Sequence, residues 1–500
     1  SQYPQKIVLG DTDKDSNPRT SLIVWDDWTD GIGLYSTDGK EGLKRFAFSR
    51  CETQHRGHLV LPLAFVNMAS DPAGAGTTLE MTEFSGKLHG ALNTGSDVYS
   101  WDPSDDTWSG KLHDLPAAAT DALNFTLAGT EYAAFAHTGG YSYSSNGTSY
   151  TDDTTDTLHL AFWDDRLWGI DNTGQLWFAL AIGTETNDAK LPLPAGFVNG
   201  LFTGPDASGE DILYASTEVG LYAHDAANSR FVKTKVAFPQ DTNGGKGAAT
   251  WNGDIYVSPG GMAVWRYDPV RGVIVSIGLD LDAGLPSAHR GNIQRLLPAH
   301  TGILAVVENT SAQGSIYTYN GKGWHFVAYY ATTIDSAHVS DINGAYRVYW
   351  VGERAHRYLA LPTGQVNPDE ETRTYDITLG AWEHFTPWFN AGQNEIDKTA
   401  IRGRIDCTGM SANETVQVRY ALNYSGSLEA SALSVNENGV TTFTFPDVSN
   451  NDPAAGIDFR AIRFRLILNN GSTATLTPNV KSLSLEWRRK IPAKYGFSFD

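Results

Sequence analysis

The sequence predicts an all-β protein: a β-propeller of six or seven blades followed by a β-sandwich or jelly-roll domain. Three observations carry this reading. A short phrase recurs along most of the chain. Glycine is abundant (50 residues) and aromatics make up 11% of the sequence, which suits short strands joined by tight turns. After about Pro387 the phrase stops, and longer alternating segments replace it.

The phrase reads apolar, aromatic, any, any, Asp or Asn, with a bulky apolar residue six positions after the acid. Its clearest copies are Val98-Tyr99-Ser100-Trp101-Asp102 with Trp108, and Leu167-Trp168-Gly169-Ile170-Asp171 with Trp177. Three more are Leu221 to Asp225 with Phe231, Val264 to Asp268 with Ile274, and Ile316 to Asn320 with Phe326. Aromatic and β-branched residues favour strands, where alternate side chains point to opposite faces. The Asp or Asn then opens a turn by capping nearby backbone N–H groups. Each phrase is therefore a hairpin with a polar tip. A second strand usually precedes it: Leu158–Trp163, Ile212–Ser216 and Ile255–Ser258. Weaker copies lie at Leu34 to Asp38 and at Tyr375-Asp376 with Trp382.

The acids at 38, 102, 171, 225, 268, 320 and 376 are about 43 to 69 residues apart, and a four-stranded blade takes about 40–50. Longer intervals are expected to carry insertions such as Gly139–Thr155. Radial repetition also avoids long exposed strand edges. A stacked solenoid or two unrelated sandwiches are the competing architectures. The expected order is an N-terminal arm (1–20), a propeller (21–386), a sandwich (387–488) and a basic, aromatic tail (489–500).

In the second domain, Ile401–Cys407, Val416–Tyr424, Thr441–Phe445, Ile457–Leu468 and Val480–Arg488 read as strands. From Phe459 to Leu466 apolar and basic residues nearly alternate. One face would be buried while the other displays Arg460, Arg463 and Arg465. The tail adds Arg488, Arg489 and Lys490, then Tyr495, Phe497 and Phe499. A packed final strand is the plain reading; a peptide that docks on a neighbouring subunit is the sharper one.

Net charge is −20, which argues against non-specific nucleic-acid binding, because that needs basic surface to displace counterions. The acidic propeller and the basic sandwich face could attract each other between copies. No run of 18 apolar residues predicts a membrane-spanning helix, and Ser1 to Gln5 shows no signal pattern. Cys51 and Cys407 lie far apart and imply neither a disulfide framework nor a zinc site.

Motifs that carry chemistry are sparse. Asp11, Asp13 and Asp15 have the spacing of the first half of a calcium loop, but its central Gly and late Glu are missing. A solvated acidic loop is the plainer reading, and calcium is the one cofactor the sequence suggests. Cys51, His55 and His58 lack the fourth ligand of a closed zinc site and read as structural. Asp171 to Trp177 looks like the Asp-box turn of sialidase-type propellers, which is a structural hairpin. No Gly-x-Ser-x-Gly elbow, phosphate loop or His-Glu-x-x-His is present. The sequence therefore predicts no enzyme.

The opening Trp25-Asp26-Asp27-Trp28-Thr29-Asp30-Gly31-Ile32-Gly33 leads to Arg56-Gly57-His58-Leu59-Val60-Leu61-Pro62. With the ending Leu483-Ser484-Leu485-Glu486-Trp487-Arg488 and its basic, aromatic tail, this resembles minor virion proteins of tailed bacteriophages. The resemblance implies a propeller-like middle with a C-terminal sandwich. It also implies a tail- or fibre-associated scaffold assembled in the host cytoplasm. Its partners would be other virion proteins, copies of itself and a host-surface glycan or receptor, and it carries over no catalytic residue. A head or neck decoration protein, a carbohydrate-active propeller enzyme and a secreted adhesin are the alternatives.

Overall fold

A computed structural model describes residues 21–490 apart from 34–43, 70–79, 93–95, 280–284, 287–288, 310–312, 353–354, 365–372, 379–380, 427–432 and 446–455. Among these residues, seven antiparallel sheets of four-stranded pattern form a ring. Blade 1 holds Glu80–Phe84, Lys87–Leu92 and Asp97–Asp102, with an outer strand split into Thr107–Trp108 and His113–Asp114. Blades 2 to 6 span 119–153, 159–190, 198–237, 249–276 and 291–330. Blade 7 takes its three inner strands from 336–360 and its outermost strand from Val66–Asn67, which pairs with Tyr358 and Arg357. The innermost strands touch in ring order, and Ser336–Ser340 of blade 7 returns to Glu80–Phe84 of blade 1. A strand from before the first blade thus closes the last, so no blade pair is left unjoined.

The hairpin chemistry is as expected. Asp102 accepts from Ser104 N, Asp171 from Thr173 N and Gln175 N, Asp268 from Arg271 N, and Asn320 from Lys322 N and Gly323 N. The bulky residue six places on pairs back across the hairpin, as Trp108 opposite Trp101 and Phe231 opposite His224. The copy at Leu167 to Asp171 is out of phase. It lies on the second strand of blade 3, whereas Asp102, Asp225 and Asp268 each end a third strand and Asn320 directly follows one. Blade 2 has its own counterpart, Asn146, which accepts from Thr148 N and Ser149 N after the strand Gly140–Ser144. The expected insertion at Gly139–Thr155 is therefore blade 2's third and fourth strands. Small residues and Tyr–Ser alternation had hidden them.

The domain boundaries also need correction. Ser21–Trp25 pairs with the final strand Asn479–Arg489. Phe48–Ser49 pairs with Ala381–Phe385, which in turn pairs with Ile462–Asn469. Ser21–Trp25, Phe48–Ser49, His58–Val60 and Ala381–Phe385 therefore belong to the sandwich, and the propeller is inserted into it. The reason lies in pairing: a strand's partners are long-range and leave no trace in local composition. Leu34 to Asp38 lies outside the described residues. Trp382 is a buried sandwich residue, not a blade residue. Ile457–Leu468 is two strands rather than one: Ile457–Phe459 joins the first sheet and Ile462–Asn469 the second.

The first sheet runs through Gly439–Thr444, Lys398–Thr408, Asn479–Arg489 and His58–Val60. The second runs through Leu433–Val435, Thr415–Leu422, Ile462–Asn469, Ala381–Phe385 and Phe48–Ser49. Aromatic contacts join the sheets: Trp25 meets Phe389 at 6.0 Å and Phe464 at 5.7 Å, and Phe389 meets Trp487 at 5.7 Å. Such edge contacts add to the burial of large apolar side chains.

The sandwich packs against the outer strand of blade 6. Thr53 Oγ1 lies 2.8 Å from His325 Nδ1, and Gly31 sits so close to Trp324 that a Cβ there would fall 2.5 Å from its backbone N. The two connecting segments pair with each other on the way across. Ala64 N donates to Thr374 O, Asp376 N donates to Pro62 O, and Leu63 bridges Tyr375 in antiparallel sense.

Candidate functional site

The sequence-predicted residues divide into three groups. Asp11, Asp13, Asp15, Tyr495, Phe497 and Phe499 lie outside the described residues. Among the described residues, no group of three or more His, Cys, Asp or Glu side chains is arranged to hold a metal ion. Cys51 is a buried free thiol whose pKa is pushed far up by desolvation, and His58 Nδ1 contacts Asn479 Nδ2 at 3.1 Å. Cys407 is likewise free and buried.

The basic residues fall on two outer faces of the sandwich and near its rim. The alternation predicted from Phe459 holds within Ile462–Asn469, where Ile462, Phe464 and Leu466 are buried and Arg463 and Arg465 point outward. Arg460 does not share their strand, because the chain changes sheets there. It pairs instead with Asp397 at 3.0 Å. Lys490 pairs with Asp458, and Arg489 stands opposite Lys398 in the first sheet. Arg488 stands opposite Thr399 on the outer side of that sheet.

Arg463 and Arg465 have a third companion that the sequence reading missed. Arg419, on Thr415–Leu422, lies directly opposite Arg465. Phe385 flanks Arg465 on the other side, and both Arg463 and Arg465 stack over its ring at 5.4 Å. Arg463 also sits 4.7 Å from the Trp388 ring, which meets Tyr424 at 5.0 Å. Arg465 is held by Glu383, whereas Arg419 and Arg463 have no ion-pair partner among the described residues. The Nε atoms of all three arginines are buried without a hydrogen-bond partner there. Burial lowers the Arg463 pKa from its usual value. A signal for Arg419 existed in the alternation of Val416, Val418 and Tyr420 with Gln417 and Arg419. Nothing local showed that it would face Arg465.

A second cluster lies on the innermost strands of the propeller. The innermost strands of blades 2, 4 and 6 each carry a bulge near their start, at Ala119/Asp121, Val198/Gly200 and Ile293/Arg295. A bulge re-aims the following side chain. In blade 6 it sends Arg295 past blade 7 to form an ion pair with the buried Glu80 of blade 1. Desolvation raises the Glu80 pKa to about 7 against the pull of Arg295, with Asp121 adding to the rise. Asp121 Oδ2 accepts from Leu160 N at 3.0 Å and lies 3.6 Å from His159 Nδ1. Burial holds His338 down at about 4, so it is neutral near pH 7. Glu80 and Asp121 are thus engaged in joining blades.

No family model matches the chain, and no curated protein matches it. Among solved structures it is similar to the extracellular domain of the putative hybrid two component system BT4673 from B. thetaiotaomicron, at 14% identity and TM-score 0.46. That match covers 64% of this chain and 44% of the other, so this chain spans less than half its length. It is also similar to BBS1N in complex with ARL6DN, at 10% identity and TM-score 0.47, over 62% of this chain and 99% of that one. The WD40 repeats of RRP9 align at 8% identity and TM-score 0.45, over 61% and 100%. These likenesses concern fold only. The chain is an all-β propeller with an attached sandwich.

Proposed function

We propose that the chain is a structural component of a bacteriophage particle, tail- or fibre-associated, that acts as a binding scaffold. The observation that carries this reading is where the polar groups go. The acids of the hairpins cap turns, and Glu80 and Asp121 join neighbouring blades. Charge and aromatic surface meanwhile gather on the outer face of the sandwich. This is chemistry spent on rigidity and contact. The resemblance of the Trp25–Gly33 and Arg56–Pro62 segments to virion proteins supports the particular setting.

The test is whether antibody raised against the purified chain labels phage particles banded by density, with mass spectrometry finding its peptides in the same band. Regular labelling at one place on the particle is expected. Peptides found only in unassembled lysate fractions would overturn the reading.

A further inference from the structure

The charges of this chain are sorted by position. Residues 66–190, which contain blades 1 to 3, hold 18 acidic and 4 basic side chains. Residues 401–500, which contain most of the sandwich, hold 9 acidic and 11 basic. The described parts of these two segments are set apart: the sandwich packs on blade 6, and blades 2 and 3 lie across the ring from it. In a four-stranded meander the turn between strands one and two shares a face with the turn between strands three and four. That face gathers Asp102, Asp105, Asp106, Glu131, Asp164 and Asp165 from three adjacent blades. All but Asp102 are exposed. Its bases are few: Lys87 pairs with Asp102, and Arg166 lies 3.7 Å from Asp164.

We propose that Arg419, Arg463 and Arg465, with Phe385 and Trp388, dock the acidic turn face of blades 1 to 3 of a second copy of this chain, head to tail. Arg419 and Arg463 lack a carboxylate partner among the described residues, and Arg463 and Arg465 are backed by aromatic rings that weaken competition from water. A planar donor fork against paired carboxylates is the geometry that arginine recognises best. The contact is heterologous, since different patches meet. Repetition therefore builds a ring or an open filament rather than a closed two-fold dimer. A chain of net charge −20 would otherwise repel its copies, so attraction must come from this segregation. The proposal deepens the scaffold reading by naming one partner and both surfaces.

The experiment is sedimentation velocity of the full chain across concentration, in low salt and in about 0.5 M salt, where screening is nearly complete. The unaltered chain should associate in low salt and dissociate in high salt. Arg419→Glu/Arg463→Glu should weaken association at least about ten-fold, as should Glu131→Lys/Asp164→Asn/Asp165→Asn. Mixing the two variants should recover part of it. Reversal at Arg463 risks unfolding the sandwich, but the second variant lies wholly in exposed residues and gives the same readout without that risk. A chain that stays monomeric throughout, or association unchanged by the turn-face variant, would overturn the contact. Either result leaves particle membership standing, because that is read from purified phage.

Discussion

Lys398 begins one of the two 11-residue strands of the first sheet and is fully buried. Its Nζ donates to the carbonyls of Gln393, Ile396 and Arg460 at 2.7, 2.7 and 2.8 Å. Three hydrogen bonds match the three donors of an ammonium group, so the side chain ties the loop before the strand to the point where the chain changes sheets. Lys398→Met keeps the bulk but removes three hydrogen bonds and orphans the carbonyls of Ile396 and Arg460, and should destabilise the protein by about 3 kcal/mol in urea unfolding. Glu80 offers a pH test. A carboxyl whose folded pKa lies above its unfolded value contributes fully below the unfolded value and loses that contribution as pH rises through the folded one. Between about 4.5 and about 7, ionisation of Glu80 beside Arg295, Asp121 and His159 therefore works against the fold. The melting temperature of Glu80→Gln relative to the unaltered chain should move upward from pH 5 to pH 8. A difference that stays flat with pH would show that Glu80 is ionised throughout.

At the scale of the element, blade 3 shows how tightly the hairpin is packed. Trp177 lies over Gly169 on the neighbouring strand, and a Cβ at Gly169 would fall 2.2 Å from the indole ring. Trp177 is itself buried and stacks 5.6 Å from Tyr141 of blade 2, so the ring cannot move aside cheaply. Gly169→Ala should cost about 3 kcal/mol, at the upper end of overpacking effects, with near-ultraviolet circular dichroism reporting the displaced indole. The hairpins were the most legible part of the sequence, because turn chemistry and alternation are local. Legibility failed where pairing was distant. Nothing in Ser21–Trp25 announces Asn479–Arg489 as its partner, and no pattern marks the bulge that aims Arg295. Of the basic face, Arg463 and Arg465 could be read from alternation. Their aromatic backing, Phe385 and Trp388, lies where the recurring phrase gives way to the longer alternating strands, and no local pattern ties it to that face.

For the whole molecule, the divided sandwich makes a prediction about fragments. Residues 381–490 lack Ser21–Trp25, Phe48–Ser49 and His58–Val60, and so expose strand edges and an apolar core that includes Phe464 and Trp487. Expressed alone, that fragment should aggregate. Residues 61–378 retain the closing strand Val66–Asn67 and should fold, resisting protease far better than residues 78–378, which lack it. If the two fragments are digested at equal rates, the ring does not depend on that strand.

The paired crossing at Pro62–Ala64 and Thr374–Asp376 has a mechanical consequence. A lobe hung on one thread can spin freely. A lobe held by two antiparallel threads that are stitched together cannot turn without shearing the stitches. Load applied at the far rim of the propeller therefore reaches the sandwich as torque, not slack. The molecule behaves as a handle on a stiff shank, and the direction in which its outer rim points is set by the direction in which its base is mounted.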